Sequence, residues 1–222
     1  MHDVIFLSVV TVSWMPIDIV RCFHNAFRRD SREIDSAVYE VARDGGDLTP
    51  ILNRFHVLNE VLDYHARGEE AAVFPAVDSL RPLVAKAYLI DHRELDAMCA
   101  GLEAMRASPD VLDAARATAA LNAHLRIHLD KEDVHLYPII RENVSETDQA
   151  AIGRVMSSKV PPDKLPLFLG WLIPLLDLTD QVNVTRGWMK LMPPQVFSNL
   201  KPAIQRLTGP NWPKITEQIP EL

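Results

Sequence analysis

The sequence predicts an all-α protein, an up-down four-helix bundle with additional C-terminal helices. Three observations carry that prediction. Apolar residues in the first two thirds of the chain recur in alternating steps of four and three, the spacing of a bundle seam. Ten of the sixteen prolines lie after residue 160, so the last sixty residues are cut into short pieces while the first part is nearly unbroken. Gly–Gly and cap–proline pairs fall between the periodic segments, where helix boundaries belong.

Residues 1–15 stand apart as an N-terminal extension of unassigned role. Val4 to Val12 is apolar and β-branched, yet it lacks a positive n-region and a small-residue cleavage site, and Met15 before Pro16 is a second candidate start. The first helix runs from about Pro16 to Arg43 and stops at Gly45–Gly46, with a seam of Val20, His24, Phe27, Ser31, Ile34, Val38 and Val41. Thr49–Pro50 supplies a cap and a first-turn proline for the second, which ends near Val73 ahead of Pro75. Its seam is Ile51, Phe55, Leu58, Leu62, His65, Glu69 and Ala72. The third helix, from about Pro82 to Arg106, presents Tyr88, His92, Leu95, Cys99 and Leu102. Ser108–Pro109 opens the fourth, which ends near Tyr137 before Pro138 and presents Ala114, Thr118, Leu121, Leu125, His128, Glu132 and His135. Ser145 with Asp148 starts a fifth helix through a capping box.

The bundle is thus expected over residues 16–143, and a helical extension packed on it over 144–222. Leu165 to Leu176 must bury itself against something. The Met192–Pro193–Pro194 turn near Trp188 fits a helix hairpin, and these helices offer a surface for a homodimer. A membrane span is not expected, because twelve residues between Lys164 and Asp177, interrupted by Pro166 and Pro174, fall short of the roughly 20 required.

Composition narrows the function classes. The chain has 222 residues, 23 Lys plus Arg against 30 Asp plus Glu, and a net charge of -7. No positive field is offered to nucleic acid. Two cysteines, Cys22 and Cys99, cannot form a disulfide framework, and a reducing cytoplasmic setting is expected. Eight glycines, with no phosphate loop and no Gly-x-Ser-x-Gly elbow, leave nucleotide and hydrolase folds without support.

The chemistry lies in the exceptions to the apolar seams. Positions that should be Leu, Ile or Val hold His24, His65 with Glu69, His92, and His128 with Glu132. A buried ionised Glu without partners costs several kcal/mol. Two of them, each one turn after a His on the same face, require a cation, since side chains at i and i+4 sit one above the other. The two pairs also lie in a gapless repeat: His65-Ala-Arg-Gly-Glu69-Glu70-Ala-Ala-Val-Phe74-Pro75 aligns with His128-Leu-Asp-Lys-Glu132-Asp133-Val-His-Leu-Tyr137-Pro138. A pseudo-twofold arrangement of two such helices would place both carboxylates where each can bridge two metals.

This combination resembles the hemerythrin-like (HHE cation-binding) family over roughly Pro16 to Ile140. The resemblance implies a four-helix bundle around two Fe ions, oxo- or hydroxo-bridged. By position, the ligands it implies are His24, His65, Glu69, His92, His128 and Glu132. Manganese or zinc suits the same donors, and iron is favoured by the resemblance alone. Oxygen-carrying members place two His one turn apart on the third helix, whereas Tyr88 and Asp96 flank His92 here. With four His and two bridging Glu, each iron keeps an open position. That favours exchange with a small ligand such as nitric oxide, oxygen or peroxide over reversible oxygen carriage. Two function classes follow, a binding or sensing module and a catalase- or peroxidase-like enzyme.

Other residues are weighed against this set. Tyr88 reads as a core aromatic or as a phenolate ligand. His124, one turn before His128, reads as an outer group or an alternate ligand. His56 with Glu60 lies nine residues before His65, half a rotation away, and belongs to a solvated face. A ferritin-like carboxylate site would need two Glu-x-x-His motifs, and only Glu132–His135 has that spacing. A zinc hydrolase would need His-Glu-x-x-His, which is absent.

Overall fold

The computed structural model describes residues 14–222, and all but the last two residues of the expected N-terminal extension lie outside that range. The fold is all-α. A 3-10 turn at Pro16–Ile19 leads into α1 (Val20–Asp44), which ends at Gly45. Gly45 has φ +83°, a conformation only glycine adopts without strain. The bundle continues with α2 (Thr49–Gly68), α3 (Phe74–Leu80), α4 (Val84–Met105), α5 (Val111–Lys131) and α6 (Tyr137–Asn143). In the ring, α1 packs on α2 and α5, while α4 packs on α2 and α5, so chain order follows the perimeter. That is the arrangement short connections between neighbouring helices favour.

Local chemistry sets several of the boundaries. Asp47 accepts the Thr49 N–H at 2.8 Å just ahead of α2. Ser145 Oγ accepts the Asp148 N–H at 3.2 Å and caps α7 (Glu146–Ser157), as its sequence predicts. The fourth seam helix starts later than Ser108–Pro109 suggests: Asp110 is the cap, accepting the Asp113 N–H at 2.9 Å, and Pro109 lies outside the helix.

The expected helix ends at the prolines are overturned as well. Pro75 and Pro138 do not end their helices. Between α2 and α3 lies a single π-turn, Glu69–Val73, and between α5 and α6 a second, Glu132–Leu136. The Phe74 N–H bonds the Glu69 carbonyl and the Tyr137 N–H bonds the Glu132 carbonyl, each five residues back. A proline in an unbroken α-helix clashes with the carbonyl four residues before it. The widened turn places the proline in the first turn of a new segment, and the helix continues. The extra residue also shifts the seam by one: Val73 and Leu136 are buried, while the expected Ala72 is half-buried and His135 is exposed.

Beyond the bundle come α8 (Leu165–Leu175), α9 (Leu178–Leu191), α10 (Pro194–Thr208) and α11 (Trp212–Gln218), with Met192–Pro193 turning α9 into α10. Trp171, Leu172, Ile173, Trp188, Phe197 and Ile204 join the bundle's apolar core. The α7 backbone reaches α2 at Gly68, where an added Cβ would sit 3.1 Å from the Met156 Cα. Trp171 Nε1 donates to Asp30 at 2.7 Å, fastening α8 to α1. Among the described residues no helix is long and apolar enough to cross a membrane.

Candidate metal centre

The bundle interior brings His24, His65, Glu69, His92, His128 and Glu132 together. Five of the six are fully or almost fully buried, and the His65 side chain is 8% exposed. Their donor atoms fall into two sets, His24–His65–Glu69–Glu132 and Glu69–His92–His128–Glu132, each set lying within 4.8 Å. In the first, the Nε2 atoms of His24 and His65 are 3.1 Å apart and His65 Nε2 lies 3.2 Å from Glu69 Oε1. In the second, His128 Nε2 lies 3.3 Å from Glu132 Oε1 and His92 Nε2 lies 3.4 Å from Glu69 Oε2. Glu132 Oε2 returns to the first set, 3.6 Å from His24. Each glutamate therefore divides its two oxygens between the sets.

The π-turns produce this arrangement. Each glutamate is the first residue of its turn, and the acid that follows is directed to another helix. Asp133 accepts from His24 Nδ1 at 2.8 Å, and Glu70 accepts from His92 Nδ1 at 3.0 Å. Asp91, beside His92, accepts from His128 Nδ1 at 3.2 Å and pairs with Lys131. These carboxylates fix the tautomers so that each Nε2 faces the interior, the pattern of imidazoles held for metal ligation. Sequence reasoning noted the second acid of each repeat without a role; its recurrence in both copies was the available signal. Asp91 had none, because its contact crosses between helices.

Electrostatics favour a cation at this cluster. Glu69 Oε2 and both oxygens of Glu132 are buried and make no hydrogen bond. Burial pushes the Glu132 carboxyl well above its usual range, and the neighbouring Glu69 charge raises it further. Burial acts the same way on Glu69, but the imidazoles of His65 and His92 outweigh it and hold that carboxyl well below the usual range. Burial lowers His128 to about 4, keeping a neutral ring with a free lone pair. A neutral His128 ring and orphaned carboxylate oxygens are donors a divalent first-row cation takes, so the residues fit such an ion.

The remaining candidates lie elsewhere. The Tyr88 hydroxyl donates to the Lys131 carbonyl at 3.3 Å, and its ring lies 6.3 Å from that of His128, the position of a core aromatic. Asp96 and His135 are exposed, and half-buried His124 lies 3.5 Å from Glu94. His56 is exposed and pairs with Glu103 on α4 at 3.0 Å; Glu60 is engaged by Lys164 and Tyr64. His2 is outside the described residues. Tyr137 was not singled out from the sequence as a site residue. It is buried and donates its hydroxyl to Glu69 Oε1, while burial raises its phenol well above the usual value.

Comparison with known proteins identifies the family. The hemerythrin HHE cation-binding domain matches residues 15–140, with an overlapping match at 83–156. The chain belongs to the hemerythrin HHE cation-binding family, and its His and Glu cluster is a candidate metal site. Among curated proteins it is similar to zinc finger protein BRUTUS of Arabidopsis thaliana, 24% identical with 80% of this chain and 15% of that protein covered. Two BRUTUS-like zinc finger proteins of the same plant are 24% and 25% identical, covering 83% and 72% of this chain and 16% and 14% of theirs. The chain thus spans about a sixth of the length of these relatives. No solved structure matches.

Proposed function

We propose that the chain is a non-haem di-iron protein that binds or reduces a small oxidant, with His24, His65, Glu69, His92, His128 and Glu132 as its ligands. The observation that supports this reading most is the division of each glutamate's oxygens between two donor sets. Two redox-active ions held there would supply a two-electron couple and exchangeable positions for oxygen, nitric oxide or peroxide.

The chain's own contribution is positioning and exclusion. Asp133, Glu70 and Asp91 hold three imidazoles in register, and the bundle core keeps bulk water from the glutamates. Tyr88, tied to the Lys131 carbonyl, leaves its hydroxyl out of the ligand set. Azide and nitric oxide should therefore perturb the visible spectrum of the iron-loaded protein, and an unchanged spectrum would count against open positions. A catalase- or peroxidase-like enzyme is the second reading, and Tyr137 favours it by holding a proton at Oη beside Glu69. Steady-state peroxide turnover that falls at least tenfold in Tyr137→Phe would select the enzyme. Turnover absent in both proteins would select the binding module.

A further inference from the structure

Three of the four imidazoles have a carboxylate on Nδ1, and the fourth does not. His65 Nδ1 makes no hydrogen bond among the described residues, although its side chain is more than nine-tenths buried. The position equivalent to Asp91, which serves His128 from the residue before His92, is Phe23, the residue before His24; its ring stacks on His65 with centroids 6.5 Å apart. With Nε2 turned to the centre, Nδ1 carries the proton, a donor for which the described residues supply no acceptor.

His65 also borders a cavity of about 400 Å³ between the α1–α2 face and helices α7 to α10. Phe23, Val61, Phe168, Trp188, Leu191 and Leu200 make its walls apolar. Besides Tyr64, whose hydroxyl is committed to Glu60 at 2.5 Å, the ionisable groups lining it are His65 and, exposed to solvent, Arg154. Ligand sites typically span roughly 300–1,000 Å³, with a few polar groups fixing orientation inside an apolar shell. Scaled from a cavity of roughly 150 Å³ that takes one benzene, there is room for about 12–16 non-hydrogen atoms.

We propose that this cavity is a binding site for an uncharged, mainly apolar small molecule bearing one carbonyl-type oxygen, which accepts the hydrogen bond of His65 Nδ1. The wall around His65 is mainly aromatic and aliphatic, and the cation in the lining, Arg154, is exposed to solvent, so a carbonyl is favoured over a buried carboxylate. The ligand would supply the outer partner that the chain gives to His24, His92 and His128 but withholds from His65. Occupancy of a pocket built by the C-terminal helices would thereby reach the metal through one imidazole. The inference rests on the reading of His65 as an Nε2 ligand.

The test uses the full-length chain loaded with diamagnetic zinc, its metal content measured in each sample, and 15N-labelled histidine. The probe is 2-decanone, compared with 2-methyldecane, which matches it in size without an acceptor, and with decanoate. The ketone should bind at least about fivefold more tightly than the hydrocarbon and shift one Nδ1–H resonance. Gly153→Leu should weaken ketone binding at least about tenfold and leave metal content unchanged, because a Cβ there meets Leu191 Cδ1 at an ordinary 3.7 Å and extends from the cavity wall. Equal affinity for ketone and hydrocarbon, no shift in a zinc-loaded sample, or tighter binding of decanoate would overturn the proposal. A chain that holds no zinc would instead overturn the ligand reading, and with it the role given to His65.

Discussion

The two halves of the centre are built on one repeated pattern and finished differently. In both, His and Glu stand one turn apart, a π-turn begins at the Glu, and an aromatic–proline pair follows. Around His65 the surroundings are aromatic: Phe27 lies 5.2 Å from the ring and Trp171 4.9 Å from Phe27, both centroid distances. Gly68, just before Glu69, lets α7 close over that π-turn. The matching residue before Glu132 is Lys131, which turns outward to Asp91. The aromatics differ as well. Tyr137 gives its hydroxyl to Glu69, whereas Phe74, facing His92 at 5.0 Å, has none to give, and both Glu132 oxygens stay unsatisfied. Shared backbone geometry places the donors; single-residue differences decide how each half is solvated and protonated.

The largest effect should come from the donors themselves. His65→Ala and His128→Ala should each weaken metal binding by well over the ~10–100-fold expected for an outer partner, while His56→Ala leaves it unchanged, measured by competition with a chelator. Equal losses for all three would remove the distinction between seam and surface. Next come the outer carboxylates: Asp133→Ala and Glu70→Ala should each cost about 10–100-fold in affinity. If the halves are independent, the two losses should multiply in the double variant.

The aromatic difference can be made symmetrical. Tyr137→Phe should destabilise the metal-free chain by about 1–3 kcal/mol, the cost of leaving a buried acceptor unsatisfied, as read by denaturant unfolding. The loss should shrink once metal is bound. Phe74→Tyr tests the converse, that a hydroxyl on the His92 side lowers the cost of the unsatisfied carboxylates. A smaller effect is expected in hydrogen exchange. In metal-free protein the amides of Glu132–Leu136 should exchange on the order of tenfold faster than those of Glu69–Val73, because α7 packs closely on the latter. Equal rates would show that this cover does not stabilise the turn.

Much of this was legible in the sequence. The seam periodicity located four helices, and the six His and Glu residues singled out from the seams as ligands are the ones the fold brings together. The π-turns were not legible, because proline is a helix terminator by local rules and only the register of the whole helix shows how an added residue accommodates it. The repeat carried a trace of them, since Phe74–Pro75 and Tyr137–Pro138 stand at the same distance from their glutamates. The fate of the second acids, of Asp91 and of the Tyr137 hydroxyl depends on contacts between helices far apart in sequence. The alignment of Tyr137 with Phe74 was visible, but its consequence for Glu69 required the fold.

The central claim is that both glutamates serve two cation positions. Metal analysis of the iron-loaded chain, combined with the same analysis of Glu132→Ala, tests it most directly. The account predicts two irons per chain at saturation, and the loss of tight binding at both positions when Glu132 is removed. One iron per chain in the unmodified protein, or two retained at unchanged affinity without Glu132, would contradict it.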